Sequence, residues 1–104
     1  MPHDRKVIEL PRLDGLTPTL ESTALKLMEE AGELAQAIGK YRGLSGEPTK
    51  MNEIQTVSRI LDELIDVAQT AVTMMFVLED KYQVDIEAVI DKHVQKMADK
   101  GYTR

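Results

Sequence analysis

Between residues 20 and 38 the apolar positions fall at Leu20, Ala24, Leu27, Met28, Ala31, Leu34, Ala35 and Ile38. This is the three-and-four spacing of an amphipathic helix. Thr17-Pro18 stands just ahead of it and reads as an N-cap followed by proline at the first helical position, where the missing N–H costs nothing. The first helix is therefore predicted to begin at Thr17. Gly39, Gly43, Gly46 and Pro48 fray its end into a loop.

Asn52, with Gln55 three residues on, resembles a capping box and opens a second helix predicted to reach Asp80. Its apolar positions thicken toward the C-terminal half until Val72 to Leu78 is apolar almost all the way round. Such a helix needs cover on more than one side, more than a chain this short can supply, so a subunit interface is expected. Asp85 is the predicted N-cap of a third helix through Lys100, closed by Gly101 in the left-handed conformation. Ile86, Val89, Ile90, His93 or Val94, and Met97 would form its inner face. Residues 1–16 carry Pro2, Pro11 and Gly15 without sustained periodicity and read as an irregular arm, tacked down by Val7, Ile8, Leu10 and Leu13. The expected architecture is all-α: two long antiparallel helices plus a shorter C-terminal helix, completed by oligomerisation. Residues 1–16 form the arm and 17–104 a single helical domain.

Length and charge narrow the functional classes. A chain of 104 residues holds one core, and its 42% apolar and 30% charged composition is that of a soluble globular protein. The formal net charge of -5 argues against a nucleic-acid polymer as the main partner, since such binders carry a basic stripe. An acidic protein can still take an anionic ligand through a cation held between them. Without cysteine there are no thiolate metal sites and no disulfides, which is compatible with the cytoplasm. No apolar run has the length of a signal peptide or a membrane span. A cytoplasmic protein without a membrane partner is expected.

The candidate chemistry lies in acids at helical spacing. Residues three apart share a helix face, so Glu30 with Glu33, and Glu63 with Asp66, each make a two-carboxylate claw. If the two helices packed face to face, four like charges would converge, which is costly unless a cation sits among them. Oxygen-only ligands suit Mg²⁺, with Mn²⁺ as the alternative. On a helical projection the first claw is expected beside the apolar stripe, not inside it. In the second helix Arg59, Glu63, Asp66, Thr70 and Thr73 form a polar stripe that taken alone reads as a solvent-facing side; beside the first claw it reads as half of a site. Gly32 either allows a close approach or is a tolerated blemish, for it costs about 1 kcal/mol relative to alanine.

Other chemistries lack their residues. Di-iron sites in helical bundles need Glu-x-x-His pairs, whereas the residue three before His93 is Ile90 and the other histidine is His3. His93 reads as a surface or boundary residue. There is no glycine-rich phosphate loop and no G-x-S-x-G elbow, so catalysis would be metal-assisted activation of water by carboxylates. Glu33 or Glu29 would take the proton. Lys26, together with Lys92 and Lys96 of a basic ridge that continues to Lys100, could hold phosphate oxygens. Lys40 and Arg42 could also reach a phosphate, although the helix dipole alone favours cations there.

Lys26-Leu-Met-Glu-Glu-Ala-Gly-Glu-Leu-Ala, followed by Asp62-Glu-Leu-Ile-Asp-Val-Ala, resembles the E-x-x-E … E-x-x-D signature of the MazG-like all-α nucleoside triphosphate pyrophosphohydrolases. The resemblance covers residues of about 20–101. It implies a homodimer or homotetramer, with Mg²⁺ held by Glu30, Glu33, Glu63 and Asp66. It also implies hydrolysis of the α–β phosphoanhydride of a nucleotide substrate to a monophosphate and pyrophosphate. The stretch between Glu33 and Glu63 is at or slightly beyond the long end of the family's range, and the lysine rhythm of the last helix lacks the asparagine that family members often carry. Two other readings use the same sequence: a phosphoribosyl-ATP pyrophosphohydrolase-like enzyme, and a helical dimerisation module whose acids are merely solvated.

Overall fold

The computed structural model describes residues 4–41 and 53–104. Three helices and no strand occur among them: α1 Leu20–Tyr41, α2 Glu53–Tyr82 and α3 Ile86–Asp99. The all-α expectation holds. None of these helices is long and apolar enough to cross a membrane.

Helix α1 starts later than Thr17, and the reason is local. Thr19 Oγ1 accepts from the Ser22 N–H at 3.0 Å while Ser22 Oγ accepts from the Thr19 N–H at 2.9 Å, the reciprocal pair of a capping box. A cap at Thr17 would have Leu20 three residues on, which offers no acceptor. Proline at 18 thus precedes the cap. At its other end α1 runs through Gly39 to Tyr41; the expected loop from Arg42 to Pro48 and the Asn52 cap lie outside the described residues, as does His3.

Helix α2 continues to Tyr82, two residues beyond the expected end. Gln83 then adopts a positive φ of 54° and turns the chain. Asp85 caps α3 as expected, its carboxylate accepting from the Ala88 N–H at 3.1 Å. Gly101 follows at φ 76°, with the N–H of Tyr102 donating to the Met97 carbonyl and that of Gly101 to the Ala98 carbonyl, both at 2.9 Å. This satisfies carbonyls the helix would otherwise leave open.

Helices α1 and α2 share the one extended contact among the elements. They are antiparallel: Leu20 and Phe76 line one cavity at one end of the seam, while Glu30, Glu33 and Glu63 meet farther along it. The seam face of α1 reads Leu20, Thr23, Leu27, Glu30, Leu34 and Ala37, all buried or half-buried. That of α2 includes Thr56, Ile60, Glu63, Val67, Thr70 and Thr73. Two expectations change here. Glu30 lies inside the packed stripe, between Leu27 and Leu34, not beside it; and the polar stripe of α2 supplies Glu63, Thr70 and Thr73 to the seam, leaving Arg59 and Asp66 exposed. The displaced apolar residues face outward: Met28 is 73% exposed, Leu61 52%, and Ile54 81%.

Ala37, 2% exposed, is the one buried apolar residue among those described. The radius of gyration is 16.8 Å, against about 13 Å for a compact domain of this length. The described residues of one chain do not enclose an apolar core. On α3, Ile86, Val94 and Met97 are half-buried, whereas Val89 and Ile90, expected on the inner face, are exposed.

The N-terminal arm returns over the C-terminal half of α2. Arg12 forms an ion pair with Asp80 at 2.6 Å and lies 4.3 Å above the Phe76 ring, while Gln69 donates to the Pro11 carbonyl at 3.0 Å. Leu10 and Leu13 are half-buried, as expected of tacking residues. Val7 and Ile8 are exposed and do not share that role.

Candidate metal centre

The acidic cluster forms where the middle of α1 crosses the first half of α2. One carboxylate oxygen from each of Glu30, Glu33 and Glu63 lies within 4.8 Å of the others. Helical spacing brings Glu30 and Glu33 to one edge, and antiparallel packing supplies Glu63 from across the seam.

Burial turns this cluster into an electrostatic problem. Glu30 is 6% exposed, and one of its oxygens, Oε1, receives the Lys26 ammonium at 3.1 Å. Its Oε2 and Glu63 Oε2 are buried without a hydrogen-bond partner. Buried carboxylate oxygens ordinarily find donors, because leaving them unpaired costs free energy. Two such atoms from facing helices are what a hard cation would satisfy. On that observation the residues fit a divalent metal ion.

The neighbours respond to the same field. The Glu33 carboxyl holds its proton above the usual carboxylate range, first because Glu30 and Glu63 repel its charge, then through desolvation and a hydrogen bond to Glu63. Lys26 is held above the usual lysine range, chiefly by its hydrogen bond to Glu30.

The other sequence candidates divide. Asp66 is exposed and stands outside the tight cluster, yet it lines a cavity of about 510 Å³ together with Lys26 and Glu30. Glu29 is exposed on the outer side of α1, 3.9 Å from Lys26. Lys92 and Lys96 are exposed on α3, and no ion pair joins them to the cluster among the described residues. His93 is exposed on the same helix. A Cβ at Gly32 would meet no atom within 4 Å, so no described residue makes a close approach there.

A family model described as the MazG nucleotide pyrophosphohydrolase domain matches residues 18–101. The chain belongs to that family. Comparison with curated proteins and with solved structures gave no match. The MazG match takes in α1, α2 and α3 to the glycine that closes the last, and so contains every acid of the cluster. It begins at Pro18, after the arm.

Sequence reasoning passed over several walls of the 510 Å³ cavity: Leu13 and Leu16 of the arm, Ser22 and Thr23 of α1, and Gln69 of α2. A signal was available for Gln69. It stands three residues after Asp66, on the same helix face one turn along.

Proposed function

We propose that this MazG domain hydrolyses the α–β phosphoanhydride of a nucleoside triphosphate, releasing a nucleoside monophosphate and pyrophosphate. The observation that carries the reading is the pair of unpartnered buried oxygens, Glu30 Oε2 and Glu63 Oε2, in a chain of this family. Glu30, Glu33, Glu63 and Asp66 would hold Mg²⁺, with Mn²⁺ a competent substitute. When bound, such an ion neutralises triphosphate charge and polarises the phosphoryl group.

The side chains divide the remaining work. A water oxygen forms the new bond to phosphorus as the anhydride bond breaks, and pyrophosphate leaves. Glu33 takes the water proton: its carboxyl is exposed and stands at the edge of the cluster beside Glu30 and Glu63, within reach of a water on the phosphate side. Glu29 is the second candidate for that role. Lys26 holds a phosphate oxygen, moving part of its charge from Glu30. Lys92 and Lys96 would serve the same anion from another subunit, since α3 makes little contact within its own chain.

A homodimer or homotetramer supplies that subunit. Supporting it are the outward Leu61, Leu64 and Ile65 of α2, each more than two-fifths exposed, and the large radius of gyration. Neither a nucleic-acid polymer nor a membrane is assigned as partner, and the cytoplasm is the assigned compartment. The test is pyrophosphate release from a panel of canonical and modified nucleotides, including phosphoribosyl-ATP, with Mg²⁺ and with the Glu63→Gln variant alongside. Release by the wild type and its loss in the variant support the proposal. Release from phosphoribosyl-ATP alone would move the enzyme to the sister activity.

A further inference from the structure

The cavity beside the acidic cluster is distinguished by the partners its walls still need. Gln69 Nε2 donates to the Pro11 carbonyl at 3.0 Å and to Thr73 Oγ1 at 3.1 Å. A peptide carbonyl can only accept, so the amide nitrogen must face Pro11, and the orientation of the whole side-chain amide is determined. Both N–H groups of Gln69 are committed inside the chain. Its Oε1 is left as an acceptor without a partner among the described residues.

The hydroxyls around it are committed in the same sense. Ser22 Oγ donates to the Thr19 carbonyl at 3.2 Å, Thr23 Oγ1 to the same oxygen at 2.8 Å, and Thr70 Oγ1 to the Asp66 carbonyl at 3.0 Å. With Glu30 and Asp66, they make a wall of side-chain acceptors. Lys26 is the charged donor facing it, and it already meets Glu30.

We infer that this cavity receives the nucleoside end of the substrate, and that Gln69 Oε1 selects it by accepting a hydrogen bond the substrate must supply. The inference rests on the pyrophosphohydrolase reading and adds to it a specificity-determining residue outside the acidic signature. Gln69 stands one helical turn past Asp66, about 5 Å along the axis, so a nucleotide whose phosphates meet the acids extends toward it. Leu13, Leu16 and Pro18 present apolar surface on the arm side of the cavity, suited to the flat face of a base. A nucleoside offers an exocyclic amine, a ring N–H or a ribose hydroxyl as donor, and the amine and the 2′-hydroxyl can each be removed in a paired analogue. A site with a committed acceptor rejects an analogue lacking the donor, because the acceptor is then left unpaired.

The test compares kcat/KM for pyrophosphate release within pairs: CTP with UTP and ATP with ITP for the amine, CTP with dCTP for the hydroxyl. The wild type is expected to favour the donor-bearing member of at least one pair by roughly tenfold or more, and Gln69→Leu to bring that ratio to within about twofold of one. Should Gln69→Leu fail to fold, Gln69→Met removes the acceptor on an unbranched chain, and the wild-type ratios still decide. Turnover of all these nucleotides without discrimination, or a ratio unchanged in the Gln69 variant, overturns the assignment and leaves the hydrolase reading standing. No turnover of any nucleotide, with the wild type folded and Mg²⁺ present, removes both.

Discussion

The two faces of α2 are arranged opposite to those of an ordinary surface helix. Toward α1 it presents Thr56, Glu63, Thr70 and Thr73, all buried or half-buried; away from α1 it presents Ile54, Val57, Leu61, Leu64 and Ile65, all exposed. Stability alone would bury the leucines and release the glutamate to water. The difference teaches that the seam within one chain is built to hold polar chemistry, while the apolar face of the same helix is left open, the face on which the proposed second copy would sit. Small threonines serve this purpose, because their hydroxyls bond back to their own helix, as Thr70 does to the Asp66 carbonyl at 3.0 Å.

Substitutions on one face should therefore leave the other's property untouched. On the seam side, Glu63→Gln is expected to lower pyrophosphate release by roughly 10²–10³-fold, the scale of losing one preorganised electrostatic group, with the oligomer mass unchanged in light scattering. On the outward side, Leu61→Asp with Leu64→Asp should shift the mass to the 11.7 kDa single chain, since each buried leucine is worth about 1.5–3 kcal/mol. If the double variant keeps the wild-type mass, the outward face is not the interface.

Smaller effects sharpen the same division. Gly32→Ala has open space for its methyl group and should stabilise α1 by about 1 kcal/mol, raising the melting temperature by about 4–8 °C. A lower melting temperature would mean that another subunit occupies that space. Glu33→Gln tests the electrostatics in metal-free buffer. The proton of Glu33 is held more tightly in the folded chain than in the unfolded one, so its stabilising contribution is full in acid, below the ordinary carboxylate range. It is lost as pH rises through the elevated folded value. Glutamine does not ionise, and the variant should melt above the wild type at neutral pH, with the gap closing in acid; a gap that widens in acid contradicts this origin.

How much of this the chain announced beforehand follows from the range of each interaction. Asp85 and Gly101 were legible because a cap is decided within a few residues, and both stand where expected. Glu30, Glu33 and Glu63 were legible as helix-face spacing, and their meeting was the expectation that packing fulfilled. The side of the helix to be buried was not legible. Hydrophobic periodicity reports which positions are apolar, but Leu61 is exposed and Thr70 buried, the reverse of what their polarity predicts. Thr19 was missed in favour of Thr17 since both precede a helical pattern, and only the reciprocal bond to Ser22 separates them. The arm's course over α2 depends on Arg12 and Asp80, 68 positions apart, a distance at which local pattern carries no signal.

Calorimetric titration of Mn²⁺ into the metal-free protein tests the acidic seam most directly, with wild type, Glu30→Gln and Glu63→Gln compared at equal concentration and neutral pH. Saturable binding to the wild type, lost or greatly weakened in both variants while they remain folded, is the predicted result. Absence of binding to the folded wild type, or equal binding by all three, would contradict a seam built around a divalent cation.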